Sequence, residues 1–150
     1  MNKRGVTLIE VIVVVVIIAV GATLMVPSIG GWQSKYRLRS ATRDVVSAMR
    51  TAQMKAISNR LQYRVNFNEA PNTYILERNS GGFSPDGPLQ TAPSGITINI
   101  AGLPGGTATF NTDSTCPNSG NITVSCQKGG VTQDQKGIRL NAATGRVTIQ

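Results

Sequence analysis

Residues 6–26 form an almost uninterrupted apolar run with one carboxylate, Glu10, near its start. Between Val6 and Val26 only Thr7 and Thr23 are otherwise polar. A run of this length is about the ~20 residues that a helix needs to cross a hydrocarbon core. An ionised acid in such a helix costs about 2.5–3.5 kcal/mol at mid-bilayer, and less near the interface. The chain beyond it must therefore be organised around an apolar helix that carries an acid at its outer end.

The flanks narrow the reading. Lys3 and Arg4 precede the run, and cations favour the cytoplasmic side of a membrane. Lys35, Arg37, Arg39 and Arg43 come after it, so flank charge alone does not orient the segment. A conventional secretory leader has a shorter apolar core ending in a small-residue cleavage site, and this run is too long for that pattern. Cleavage after Gly5 would give Val6 a free α-amino group about one helical turn from Glu10. In a stack of subunits that amine could neutralise the Glu10 of a neighbour, since buried charges are tolerated when paired and costly when alone. The plainer alternative is an N-terminal anchor with an incidental acid.

Residues 32–60 read as a continuation of that helix. At 100° per residue, Leu38, Ala41, Val45, Ala48, Met49, Ala52 and Ala56 share one face. Lys35, Arg39, Arg43 and Arg50 fall on another, either as a solvated face or as a surface for neighbouring subunits or anionic lipid. Pro27, with Gly30 and Gly31 just beyond it, predicts a bend or a melted turn in the helix there.

After Asn59 the pattern turns to alternation. Residues 61–67 and 73–78 read as a strand hairpin about the turn 68–72, and residues 96–100, 107–110 and 122–126 as further strands. A second hairpin closes the chain around the turn 141–145. This gives an α+β protein, a long helix packed on an antiparallel β-sheet head. Cys116 and Cys126, separated by nine residues, read as a disulfide if the head lies in an oxidising compartment, and otherwise as two unpaired thiols. Closing so short a loop would stabilise by about 2–3 kcal/mol. With no His and only two Cys in the chain, a metal site and the usual nucleophile–base pairs find no support, and no cofactor motif is present. Residues 102–107, rich in Gly, lack the Gly-Lys-Ser/Thr ending of a phosphate loop. The chain reads as a non-enzyme.

"RGVTLIEV" resembles the class III signal of type IV pilins and type II secretion pseudopilins, with Gly5, Thr7, Leu8, Ile9 and Glu10 matching and Val6 in place of the usual Phe. The resemblance implies cleavage between Gly5 and Val6 and N-methylation of Val6 by a prepilin peptidase. It also implies subunit assembly through Glu10, and a helix-breaking proline where Pro27 stands. Residues 1–5 would be the leader, 6–26 a transmembrane helix, 27–60 its continuation into the head, and 61–150 a β-rich periplasmic head. Residues 55–60, 83–87 and 144–149 are similar to stretches of the GspH/FimT group of minor pilins and pseudopilins. That likeness implies a single-pass protein of the bacterial inner membrane, or of a pilus tip. Its partners would be other pilins or pseudopilins, an inner-membrane assembly platform and membrane lipid. Some members of the group bind DNA through a C-terminal Gly-Arg-x-Arg motif. Here Gly145 and Arg146 match, and Thr148 replaces the second Arg. Lys128, Lys136 and Arg139 are the other candidate DNA contacts. A net charge of +8, lowered to +6 when Lys3 and Arg4 leave with the leader, favours polyanions without specifying DNA.

Processing gives the first test. Mass spectrometry of the membrane-extracted protein should find a chain that begins at Val6 and carries one methyl group. Retention of residues 1–5 in cells with a working prepilin peptidase would exclude the signal reading.

Overall fold

The computed structural model describes residues 6–25 and 29–150, with two compact units, Met1–Ser34 and Lys35–Gln150. The first holds helix α1, Leu8–Met25. Its aliphatic side chains are exposed on every side; Ile9, Val13 and Ile17 are 50–70% accessible. Such a helix needs an apolar surrounding rather than an aqueous one. At 1.5 Å per residue its 18 residues rise about 27 Å, short of a hydrocarbon core of about 30 Å. Among the described residues no helix is long and apolar enough to cross a membrane by itself. Within the expected span of 6–26 the helix begins at Leu8, with the Thr7 carbonyl as its first acceptor. Gly5 and Pro27 lie outside the described residues. Helix α2, Ile29–Asn59, includes Gly30 and Gly31.

In the second unit α2 supplies the central seam. Leu38, Ala41, Val45, Met49, Ala52 and Ala56 are at most 3% exposed, as the 3.6-residue spacing predicts. Thr42 and Val46 are buried beside them, and the Thr42 hydroxyl donates to the Leu38 carbonyl at 2.7 Å, which satisfies it inside the core.

Two antiparallel sheets complete the core. Strands β1 (Tyr63–Asn68), β2 (Thr73–Asn79), β3 (Phe83–Pro85), β4 (Gln90–Thr91) and β6 (Thr107–Phe110) form the first, with β3-β2-β1-β6 in order and β4 also paired to β2. Strands β5 (Ile96–Gly102), β7 (Gly120–Lys128), β8 (Val131–Leu140) and β9 (Val147–Ile149) form the second, in that order. Both predicted hairpins are present: β1 pairs with β2, and β8 with β9. Strands β3 and β4 and the first half of β8 are not legible in the sequence pattern, because their residues stay largely exposed. Residues 102–107 are a connection through a 3-10 turn, Pro104–Gly106, as their glycines suggest. The β1–β2 turn also ties the sheets together. Asn72 Oδ1 accepts from the Ile98 N–H at 3.1 Å, and Glu69 Oε1 from the Ile100 N–H at 2.8 Å.

The expected disulfide does not form. Cys116 and Cys126 are free, buried thiols. Cys116 precedes β7, with its N–H on the Ala142 carbonyl and its Sγ 3.1 Å from the Asn118 carbonyl. Cys126 is six residues beyond Gly120 along β7, about 20 Å of extended strand away. A short sequence separation is no guide to distance when most of the interval is a strand. Burial pushes the Cys116 thiol up from its ordinary value, so it is held in the unreactive protonated form.

The β8–β9 turn docks on α2 at close range. Gln53 Nε2 donates to Ser114 Oγ at 2.7 Å and to the Thr144 carbonyl at 3.3 Å. Gly145, at φ +59°, sits so close that a Cβ there would meet the Ser114 carbonyl oxygen at 2.2 Å. Gly145→Ala should therefore lower the thermal midpoint by several degrees and release the hairpin, with amide exchange of β9 rising first. An unchanged melt would show that the turn can shift without cost.

A second tie fixes the segment after β3. Lys55 Nζ lies 2.7 Å from Asp86 Oδ2, and Arg78 Nε lies 3.8 Å from Asp86 Oδ1. The hydrogen bond from Lys55, helped by both cations, holds the Asp86 carboxyl below its ordinary value. A depressed folded-state pKa contributes stability above the unfolded value, and that contribution disappears as pH falls through the folded one. Asp86→Asn should thus melt below the native chain at pH 7, and the gap should close in acid. A gap that persists unchanged at pH 2 would assign the effect to packing.

Candidate functional site

The N-terminal motif places its acid in the first turn of α1. Val6 and Thr7 precede the helix, and the Thr7 carbonyl accepts the N–H groups of Glu10 at 3.1 Å and of Val11 at 3.3 Å. Glu10 is exposed, and no ion pair reaches it among the described residues. A carboxylate in a first turn is favoured by about 0.3–1 kcal/mol through the free N–H groups and the positive end of the helix dipole. The helix end therefore offsets a part of the cost of a charge that has no partner in the apolar run.

The four candidate DNA contacts do not gather on one surface. Lys128 ends β7 opposite Val131, and Arg139 lies eight residues further along β8, roughly 25 Å away. Arg139 pairs directly with Thr148 and with Asn121 on its two sides, so these three share a face. Lys136, an odd number of residues from Arg139, points to the opposite face. It lines a cavity of ≈ 210 Å³ with Arg39, Thr42, Arg43 and Ile149. Arg146 lines a larger one of ≈ 690 Å³ with Arg50, Gln53, Met54 and β9.

A different grouping emerges. Both cavities lie between α2 and β9 and share Ile149, so they are two stretches of one groove. Arg39, Arg43 and Arg50 come from the basic stripe of α2, Lys136 from β8 and Arg146 from the β8–β9 turn. No acid lines either cavity. The stripe is legible in sequence, but its convergence with the C-terminal cations is not, since helical spacing says nothing of which strand a face meets.

The other flank of α2 is chemically distinct. A cavity of ≈ 410 Å³ there includes Asp44, Thr51, Lys55, Tyr74, Asp86 and Gln90. Burial, and then the Asp44 carboxylate, push the Tyr74 phenol up, so it stays neutral and is no base at physiological pH. Among the described residues no group of three acids or thiols could hold a metal ion.

Residues 1–26 match the prokaryotic N-terminal methylation motif. The fold is similar to that of the type IV minor pilin FimU of Pseudomonas aeruginosa, with TM-score 0.58, 15% identity, and coverage of 79% of this chain and 92% of that one. It is also similar to the minor pseudopilin EpsH from the type 2 secretion system of Vibrio cholerae, with TM-score 0.61, 12% identity, and coverage of 74% and 93%. No curated protein matches the sequence. The chain thus joins a prepilin-type methylation motif to a head with the fold of the minor pilins and pseudopilins.

Proposed function

We propose that this chain is a structural subunit of a type IV pilus or a type II secretion pseudopilus, with no catalytic role. Cleavage after residue 5 frees Val6 for methylation, α1 anchors the subunit in the inner membrane, and the head lies on the periplasmic side. The observation that carries this reading is the placement of Glu10 in the first turn of a helix whose aliphatic side chains are exposed all round. Such a surface is stable in lipid or against other apolar helices. In that setting Glu10 becomes a pairing group for the Val6 amine of a neighbour. The motif match over 1–26 and the fold shared with minor pilins support the same conclusion. A role in DNA uptake draws no support from the C-terminal residues as a set, because Lys128, Lys136, Arg139 and Arg146 do not form one patch.

Glu10→Ala and Glu10→Gln are the test. Both remove a charge from the apolar segment, so membrane insertion should be unchanged or improved. Incorporation into the filament, read by co-purification with partner pilins, should fall by well over tenfold, since stranding one buried charge costs about 3–5 kcal/mol. Unchanged incorporation would overturn the pairing role.

A further inference from the structure

The groove between α2 and β9 has an open backbone edge on one wall. The Gln150 N–H donates to the Gly137 carbonyl at 2.8 Å, and the Asn141 N–H to the Arg146 carbonyl at 3.0 Å. These bonds, with the pairing of Arg139 to Thr148, turn the backbone groups of Arg146, Thr148 and Gln150 towards β8. The N–H and C=O of Val147 and Ile149 therefore face away from β8, and they take no hydrogen-bond partner among the described residues. Val147 is only 6% exposed. A row of unpaired N–H and C=O groups along an edge strand is a template on which another extended chain can pair.

The opposite wall indicates what that strand carries. Arg43 and Arg50 project from α2, with Lys136 and Arg146 at the flanks and no acid among the residues that line the groove. Met54 is 62% and Ile149 47% exposed in the same place. Acidic side chains would meet the cations, and apolar ones would cover Met54 and Ile149.

We propose that the α2–β9 groove binds an extended, acidic segment of a partner protein, with interspersed aliphatic residues, as an added strand on β9. Two features favour a peptide over a nucleic acid. The open edge alternates donors with acceptors two residues apart, which another peptide backbone matches and a phosphate backbone does not. The lining also offers aliphatic surface and no aromatic ring on which a base could stack. The proposal rests on the filament reading only for the source of the segment, which would be an adjoining subunit; the groove itself stands on the head's own geometry.

The test uses the full chain in detergent and a fluorescein-labelled peptide of alternating glutamate and valine, with anisotropy as the readout. Saturable binding is expected, and none for the lysine–valine counterpart. Arg50→Glu combined with Arg146→Glu should weaken it about tenfold. Methylating alternate backbone nitrogens of the peptide should abolish it, because that removes the donors needed by an edge strand. Equal binding of the methylated peptide would overturn strand addition. Binding of a labelled single-stranded oligonucleotide but not of the peptide would make the groove a nucleic-acid surface, and failure of the peptide to bind would overturn the proposal outright. These outcomes are independent of filament incorporation by the Glu10 variants, so either reading can fail while the other stands.

Discussion

The head depends on one buried seam. Six residues of α2, from Leu38 to Ala56, are almost wholly removed from water, and both sheets close on them. Neither sheet could cover its own inner face, since each has one apolar side formed by residues such as Val65 and Ala108 in the first and Ile122, Val124 and Ile138 in the second. The seam alternates size along its length. Leu38, Val45 and Met49 supply volume, each worth about 1.5–3 kcal/mol on full burial. Ala41, Ala52 and Ala56 let the strands approach the helix axis, so that Tyr63 and Phe110 can fill the space beside it.

Because the seam takes one face of α2, the charges of the helix are confined to its flanks, and the two flanks differ. On one, Lys55 is neutralised by Asp86, and the segment after β3 is fastened down. On the other, Arg39, Arg43 and Arg50 meet further cations from β8 and the β8–β9 turn, with no acid among the described residues that line the two cavities. Like charges held together at a surface cost free energy, and a fold retains such a cluster readily when a partner of opposite charge covers it. The docking of the β8–β9 turn through Gln53 and Gly145 creates that arrangement, for it holds β9 beside the helix and leaves its outer backbone edge facing the cations.

The two units obey different physical rules. In α1 the apolar side chains point outwards in all directions, so its stability comes from what surrounds it. In the head the same residue types point inwards, and stability comes from packing against the chain itself. The proposed filament role would use both kinds of stability, one in each unit.

What the sequence determined by itself was local and periodic. The acid in the apolar run, the spacing of Leu38, Val45 and Met49, and the alternation of Tyr63, Val65 and Phe67 each reflect the repeat of a single element, and they predicted the helices, both hairpins and the burial of the seam. What only the tertiary structure decided were distances between elements. Strand β7 carries Cys126 away from Cys116, so two thiols close in sequence remain apart. The opposite facings of Lys136 and Arg139 divide a run of cations that looks continuous in one dimension. Sheet order places β9 at an edge beside α2, and that brings Arg146 to Arg50 across nearly a hundred residues of chain. Periodicity specifies which face of an element is buried; only the packing of elements specifies which faces meet.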